Sequence, residues 1–123
     1  MSLALVTGGS GLTGRAIVAA LLRDGRSVRV LDLQPHPGAG VESIVGDVCD
    51  QAVVGRACMG VDTVFHTVAL VSQHPRLARR MEEVNVGGTA RLLQAAQSAG
   101  VPRFVFTSSI DVVFDGRPIA DGD

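Results

Sequence analysis

Short apolar runs alternate with segments whose apolar residues recur at helical spacing, and that alternation predicts a chain of βαβ units. Leu3–Thr7 is a continuous apolar run ending in glycines, the pattern of a strand buried on both faces. From Gly11 to Arg23, Leu12, Ile17, Ala20 and Leu21 fall near helical spacing, and Asp24-Gly25 ends that helix. Ser27–Leu31 reads as a second strand, and Gln34–Gly40, with two prolines and two glycines, as a loop. Glu42–Val45 is a short third strand, Asp50–Met59 a modest helix closed by Gly60, and Asp62–His66 a fourth strand. Val101–Thr107 is the fifth. Before it, from about Pro75 to Ala99, Leu77, Met81, Val84, Leu92, Ala95, Ala96 and Ala99 mark one face of a long helix. Gly87-Gly88 inside that helix should cost about 1 kcal/mol per glycine relative to alanine, so close packing against the sheet is the expected compensation.

Five strands joined by helical crossovers imply an α/β fold: a Rossmann-type doubly wound parallel sheet of order 3-2-1-4-5, with helices on both faces in three layers. One domain covers residues 1–123, without internal repeat or linker. Hydrophobic residues make up 46% and charged residues 19%, enough for one core, and the net charge of -1 offers nothing to nucleic acid or an anionic membrane. Two cysteines make no disulfide framework, and the N-terminal apolar run is too short to span a bilayer and lacks a basic flank. The expectation is a reduced, cytoplasmic protein. Two absences narrow the chemistry further. Tyrosine is absent, and all eleven basic residues are arginine. Arginine cannot replace lysine where a proton must move.

The segment Thr7-Gly8-Gly9-Ser10-Gly11-Leu12-Thr13-Gly14 joins the first strand to the first helix. It reads either as G-x-G-x-x-G from Gly9 or as T-G-x-x-G-x-x-G from Gly8. In both readings bare positions let backbone amides approach a pyrophosphate, Gly14 lets the helix lie close, and the helix N-terminus faces the anion. An acid closes the pattern: Asp32, at the end of strand two, can accept both ribose hydroxyls of an adenosine and repel a 2′-phosphate. That favours NAD over NADP, although Arg15 and Arg29 lie nearby in the sequence. A cap on the strand end is the alternative role for Asp32. His66 ends an apolar strand and reads as a hydrogen-bonded core histidine, not a base. His36 and His74 sit beside prolines without ligand spacing, so no metal is assigned.

With these motifs in order, the chain resembles the extended short-chain dehydrogenase/reductase superfamily, of the NAD-dependent epimerase/dehydratase type. Within it the chain is most similar to the 3β-hydroxysteroid dehydrogenase/isomerase-like group. The likeness runs through Thr7–Gly14, Asp32, Gly46-Asp47-Val48, Gly60–Thr67, Val84–Thr89 and Phe104–Ser109. It implies cofactor contacts from Gly8, Ser10, Gly11, Leu12 and Gly14, and from Asp32 and Leu33. Asp47 and the amide of Val48 would meet the adenine amino group; an N-cap of the next helix is the other role for Asp47. Thr67, Val68 and Ala69 would run beside the cofactor, with Val68 standing where the family has alanine. Asn85 matches the family asparagine that bonds backbone near strand four, and Thr107 ends strand five. Ser109, or the adjacent Ser108, matches the catalytic serine.

The segment Gly116–Asp123 resembles the loop leading toward the family's Tyr-x-x-x-Lys pair, which this chain lacks. The resemblance therefore implies the N-terminal, NAD-binding part of an enzyme that oxidises a secondary alcohol, 3β-hydroxysteroid-like, and an inactive fragment when alone. A nucleotide-sugar epimerase or dehydratase is the alternative activity, and a stand-alone non-catalytic NAD-binding module the alternative class. A Tyr-x-x-x-Lys pair in the coding sequence past Asp123 would decide for the enzyme. The small-molecule substrate apart, the expected partner is a second copy of the chain, because the fifth strand should form an exposed apolar edge.

Overall fold

The computed structural model describes residues 2–9, 11–67 and 83–106, with backbone alone over 83–85. Five parallel strands, β1 (Leu3–Thr7), β2 (Ser27–Asp32), β3 (Val41–Val45), β4 (Thr63–His66) and β5 (Arg103–Phe106), form one sheet in the order β3-β2-β1-β4-β5. Order and direction agree with the reading from hydrophobic pattern. Helices carry the crossovers from β1 to β2 and from β3 to β4, whereas β2 and β3 are joined by a short loop.

The two-residue period of the strands sorts their side chains into two cores. Ala4 and Val6 of β1, with Val28 and Val30 of β2, pack against Val18 and Leu21 of helix α1 (Leu12–Arg23). Leu5, Leu31 and Val64 point the other way. They meet Val54 and Ala57 of α2 (Gln51–Ala57) and Leu92 and Ala96 of α3 (Thr89–Ser98). Because both sheet faces are covered, β1 has no polar alternation and is buried from Ala4 to Thr7.

The inward stripe of α1 is Gly14, Val18 and Leu21, spaced by four and three residues. Leu12, placed on the core face by sequence spacing, is instead 90% exposed. It occupies the first turn, where the helix has only begun to cross the sheet. The helix ends as expected: Gly25 takes φ 78°, open to glycine at no steric cost, and Arg26 N–H closes on Leu21 O at 3.0 Å. For α2 the N-cap is Asp50, whose carboxylate accepts from Ala52 N and Val53 N at 3.0 and 3.4 Å.

The long helix expected from Pro75 to Ala99 is not one regular helix. Over the described residues it comprises a π-helical segment, Glu83–Gly88, followed by α3. The two glycines fall in the π-helical segment. A Cβ on Gly88 would stand 2.7 Å from Val48 Cγ1, so the close packing is against the β3–α2 connection and not the sheet. Strand five is shorter than the sequence suggests, and its last expected residue, Thr107, lies outside the described residues.

Candidate functional site

The sheet order reverses between β1 and β4, and in open parallel sheets ligands bind beyond the carboxyl ends of the strands at such a point. Here the backbone continues the sheet ladder past the strands and knits those ends into a row. Thr67 N donates to Thr7 O at 3.2 Å, Gly8 N to Leu31 O at 2.8 Å, and Gly46 N to Asp32 O at 2.9 Å. The sequence motifs at Gly8, Asp32, Asp47 and Thr67 therefore share one edge of the sheet, although they are up to sixty residues apart in the chain.

Each glycine of the turn is bare for a different reason. Gly8 adopts φ 70°, which L side chains rarely take. At Gly9 a Cβ would collide with the Val30 methyls at 2.6 and 2.7 Å. Gly14 is tighter still, with a Cβ 2.0 Å from Gly8 O. At Gly11 a Cβ would lie 3.4 Å from Gly8 O, the nearest non-neighbouring atom among the described residues, which is ordinary contact. Among the described residues no contact requires that position to be empty.

The amides are divided as well. Gly8 N is committed to Leu31 O, and Gly11 N to Gly8 O at 3.1 Å. Among the described residues the helix ladder starts with Arg15 N on Gly11 O at 2.8 Å, and the amides of Leu12, Thr13 and Gly14 precede it. These three, at the positive end of α1, are the donors that the turn offers to an anion. Gly8 and Gly11 supply room instead of hydrogen bonds.

Asp32 ends β2, half-buried, and its Oδ1 accepts from Gln34 N at 3.3 Å, so the capping role is present. Leu33 beside it is 61% exposed. Asp47 turns onto Cys49 N at 2.9 Å and is not the helix cap, a role that belongs to Asp50. The Val48 side chain is buried in the core beneath Gly88, so any contact it offers a ligand comes from its backbone. Of the two arginines weighed for a 2′-phosphate, Arg29 is spent elsewhere. Its Nη1 donates to Ala57 O and Met59 O at the end of α2, and its Nε lies 3.1 Å from Glu42 Oε1 without hydrogen-bond alignment. Arg15 is exposed on the first turn of α1.

Burial of the β4 end assembles a polar string from residues far apart in the chain. His66 is fully buried, with Nδ1 2.7 Å from Thr7 Oγ1 and Nε2 2.8 Å from Thr89 Oγ1. Thr7 Oγ1 also accepts from Thr67 N at 3.0 Å, and Thr67 Oγ1 donates to Thr7 O. Desolvation holds the imidazole at a pKa of about 4, so it is neutral at physiological pH. A hydrogen-bonded core histidine was the reading from sequence; its partners were not legible, because Thr89 is 23 residues away and reaches it through the π-helical segment.

The backbone of Asn85 lies in that segment. Ser10, Val68, Ala69, Thr107, Ser108 and Ser109 lie outside the described residues. Among the described residues no group of three or more His, Cys, Asp or Glu side chains is placed to hold a metal, and no helix is long and apolar enough to cross a membrane.

Comparison with known proteins fits this edge. The model of the 3-beta hydroxysteroid dehydrogenase/isomerase family matches residues 5–123. A 3 beta-hydroxysteroid dehydrogenase/Delta 5→4-isomerase of Mycobacterium tuberculosis is 45% identical over 97% of this chain and 35% of its own length. A short-chain dehydrogenase/reductase superfamily protein of Agrobacterium tumefaciens, solved with bound NAD, is 51% identical with a TM-score of 0.81, over 87% of this chain and 32% of that one. An epimerase of Methanothermobacter thermautotrophicus is 32% identical with a TM-score of 0.79, over 89% of this chain and 35% of that one. The chain thus spans about a third of the length of the relatives it matches. A family match running from the middle of β1 to the last residue, on a chain whose sheet order and glycine turn suit it, places this protein in the 3-beta hydroxysteroid dehydrogenase/isomerase family.

Proposed function

We propose that the chain binds NAD across the β1–β4 edge and forms the nucleotide-binding part of an NAD-dependent oxidoreductase. The observation that carries this is Gly11. Among the described residues its missing side chain answers to no close contact, and it opens the space in front of the first-turn amides of α1. In this reading the amides of Leu12, Thr13 and Gly14 hold the pyrophosphate, with Ser10 beside them, and Asp32 accepts from the adenosine ribose while Leu33 flanks it. Asp47 and the Val48 amide meet the adenine. Thr67, Val68 and Ala69 line the path toward the nicotinamide, with Asn85 and Thr107 close to it. NAD, when bound, supplies the acceptor for a hydride. Ser109, or Ser108, orients the oxygen of a secondary alcohol. The bound Agrobacterium relative supports the cofactor, and the Mycobacterium relative supports a 3β-hydroxysteroid-like substrate. The Methanothermobacter epimerase keeps a nucleotide sugar as the second reading.

Titration calorimetry with NAD and NADP tests the assignment. NAD should bind more tightly than NADP, and Asp32→Ala should weaken NAD by about tenfold or more, as loss of charge-assisted bonds does. Tighter binding of NADP by the unaltered chain would refute the role of Asp32. With neither tyrosine nor lysine in its sequence, the 123-residue chain should bind without turning over any alcohol.

Self-association belongs to the same reading. On β5, Val105 and Phe106 are 40% and 51% exposed, and among the described residues no strand pairs with its outer side. Light scattering over a concentration series should show mass growing beyond one chain; a constant monomer mass would count against it.

A further inference from the structure

The Thr7–His66–Thr89 string does more than satisfy a buried ring, because of what it joins. Thr7 and His66 face each other at the last rung of β1 and β4, on either side of the point where the sheet order reverses. Immediately after Thr7 comes Gly8, which begins the glycine turn, and immediately after His66 comes Thr67, which bonds back to Thr7 through both its amide and its hydroxyl. Thr89 is the first residue of α3, directly after Gly88, whose missing side chain admits Val48. One imidazole therefore fixes the glycine turn, the β4 end and the start of α3 relative to one another.

We propose that His66, held between the Thr7 and Thr89 hydroxyls, is a positioning residue for the nucleotide: an uncharged two-ended spacer that sets the width of the crevice. The proposal rests on the NAD reading above. The ring is suited to the task because neutral imidazole offers one donor and one acceptor, and each hydroxyl can complement either. Both nitrogens are matched, so the ring cannot swing without orphaning a buried polar atom. Phe104 and Phe106 wall it from β5, with ring centroids 6.2 and 5.5 Å away.

The test is a set of substitutions at the far end of the string, which in this reading touches no ligand. Thr89→Val keeps the shape and removes the hydroxyl; Thr89→Ser restores it. Leu92→Ala, on the same helix and fully buried, serves as a control that destabilises without touching the string. NAD affinity by calorimetry is compared with stability by urea unfolding. Thr89→Val is expected to weaken NAD about tenfold, with Thr89→Ser within about twofold of the unaltered chain and Leu92→Ala likewise. Nitrogen NMR shifts of the His66 ring, read without ligand, should move in Thr89→Val and return in Thr89→Ser. Equal loss of affinity in Thr89→Val and Leu92→Ala, or none in Thr89→Val, overturns the positioning role and leaves the NAD reading standing. Failure of the unaltered chain to bind NAD overturns both.

Discussion

Gly14→Ala is expected to destabilise the protein by about 2–3 kcal/mol and to remove measurable NAD binding. A Cβ at this position would sit 2.0 Å from Gly8 O, 2.6 Å from Gly9 Cα and 2.7 Å from Gly8 C. All three are backbone atoms, so no rotamer change relieves the overlap; α1 must lift from the turn or the turn must shift. Either movement pulls Val18 and Leu21 from their core and displaces the three amides proposed above to hold the pyrophosphate. Gly11→Ala gives the contrast. Among the described residues its Cβ meets no non-neighbouring atom closer than 3.4 Å, so stability should change by less than about 1 kcal/mol while NAD affinity falls at least about tenfold. Urea unfolding and calorimetry on both variants check this. Equal stability losses at the two positions would mean that both glycines serve packing, and the crevice in front of Gly11 would lose its meaning.

The second large effect is acid sensitivity. His66 has a pKa of about 4 in the folded protein against an ordinary 6.5, because burial penalises the cation. Its described neighbours, Thr7, Thr89, Phe104 and Phe106, are uncharged and bring no carboxylate to offset that. Between those two values the unfolded chain takes up a proton that the folded chain refuses. Stability from this residue is therefore complete above about pH 6.5 and drains away as pH falls toward 4, for a total of about 3 kcal/mol. Urea unfolding at pH 7, 5.5 and 4.5, compared with His66→Gln, isolates the contribution. The amide variant does not titrate, and its curve should lack most of the slope. A parallel decline in both proteins would assign the acid sensitivity to other groups.

Much of this protein was legible before any fold was drawn. Continuous apolar runs such as Leu3–Thr7 fix buried strands because both sheet faces are covered, and helical spacing between them forces parallel crossovers. The placement of the glycine turn after β1 and of Asp32 at the end of β2 was legible for a related reason: it is local and depends on a strand end and a few neighbouring residues. Reading failed where a residue's role depends on what lies across the fold. Leu12 has the hydrophobicity of a core residue but sits on a first turn with nothing opposite it. Arg29 is near Asp32 in sequence, yet its guanidinium is drawn to the carbonyls at the end of α2, which only the crossover brings within reach.

The sequence by itself thus determined the layer order, the parallel sheet and the glycine turn between β1 and α1, since hydrophobic period and glycine placement act over short spans. Tertiary structure alone decided which amides of the turn are bonded to neighbouring segments, which glycines are bare because of packing, and which hydroxyls meet His66. Those outcomes depend on distances between segments up to sixty residues apart, set by the sheet ladder and the π-helical segment, and no local pattern in the chain encodes them.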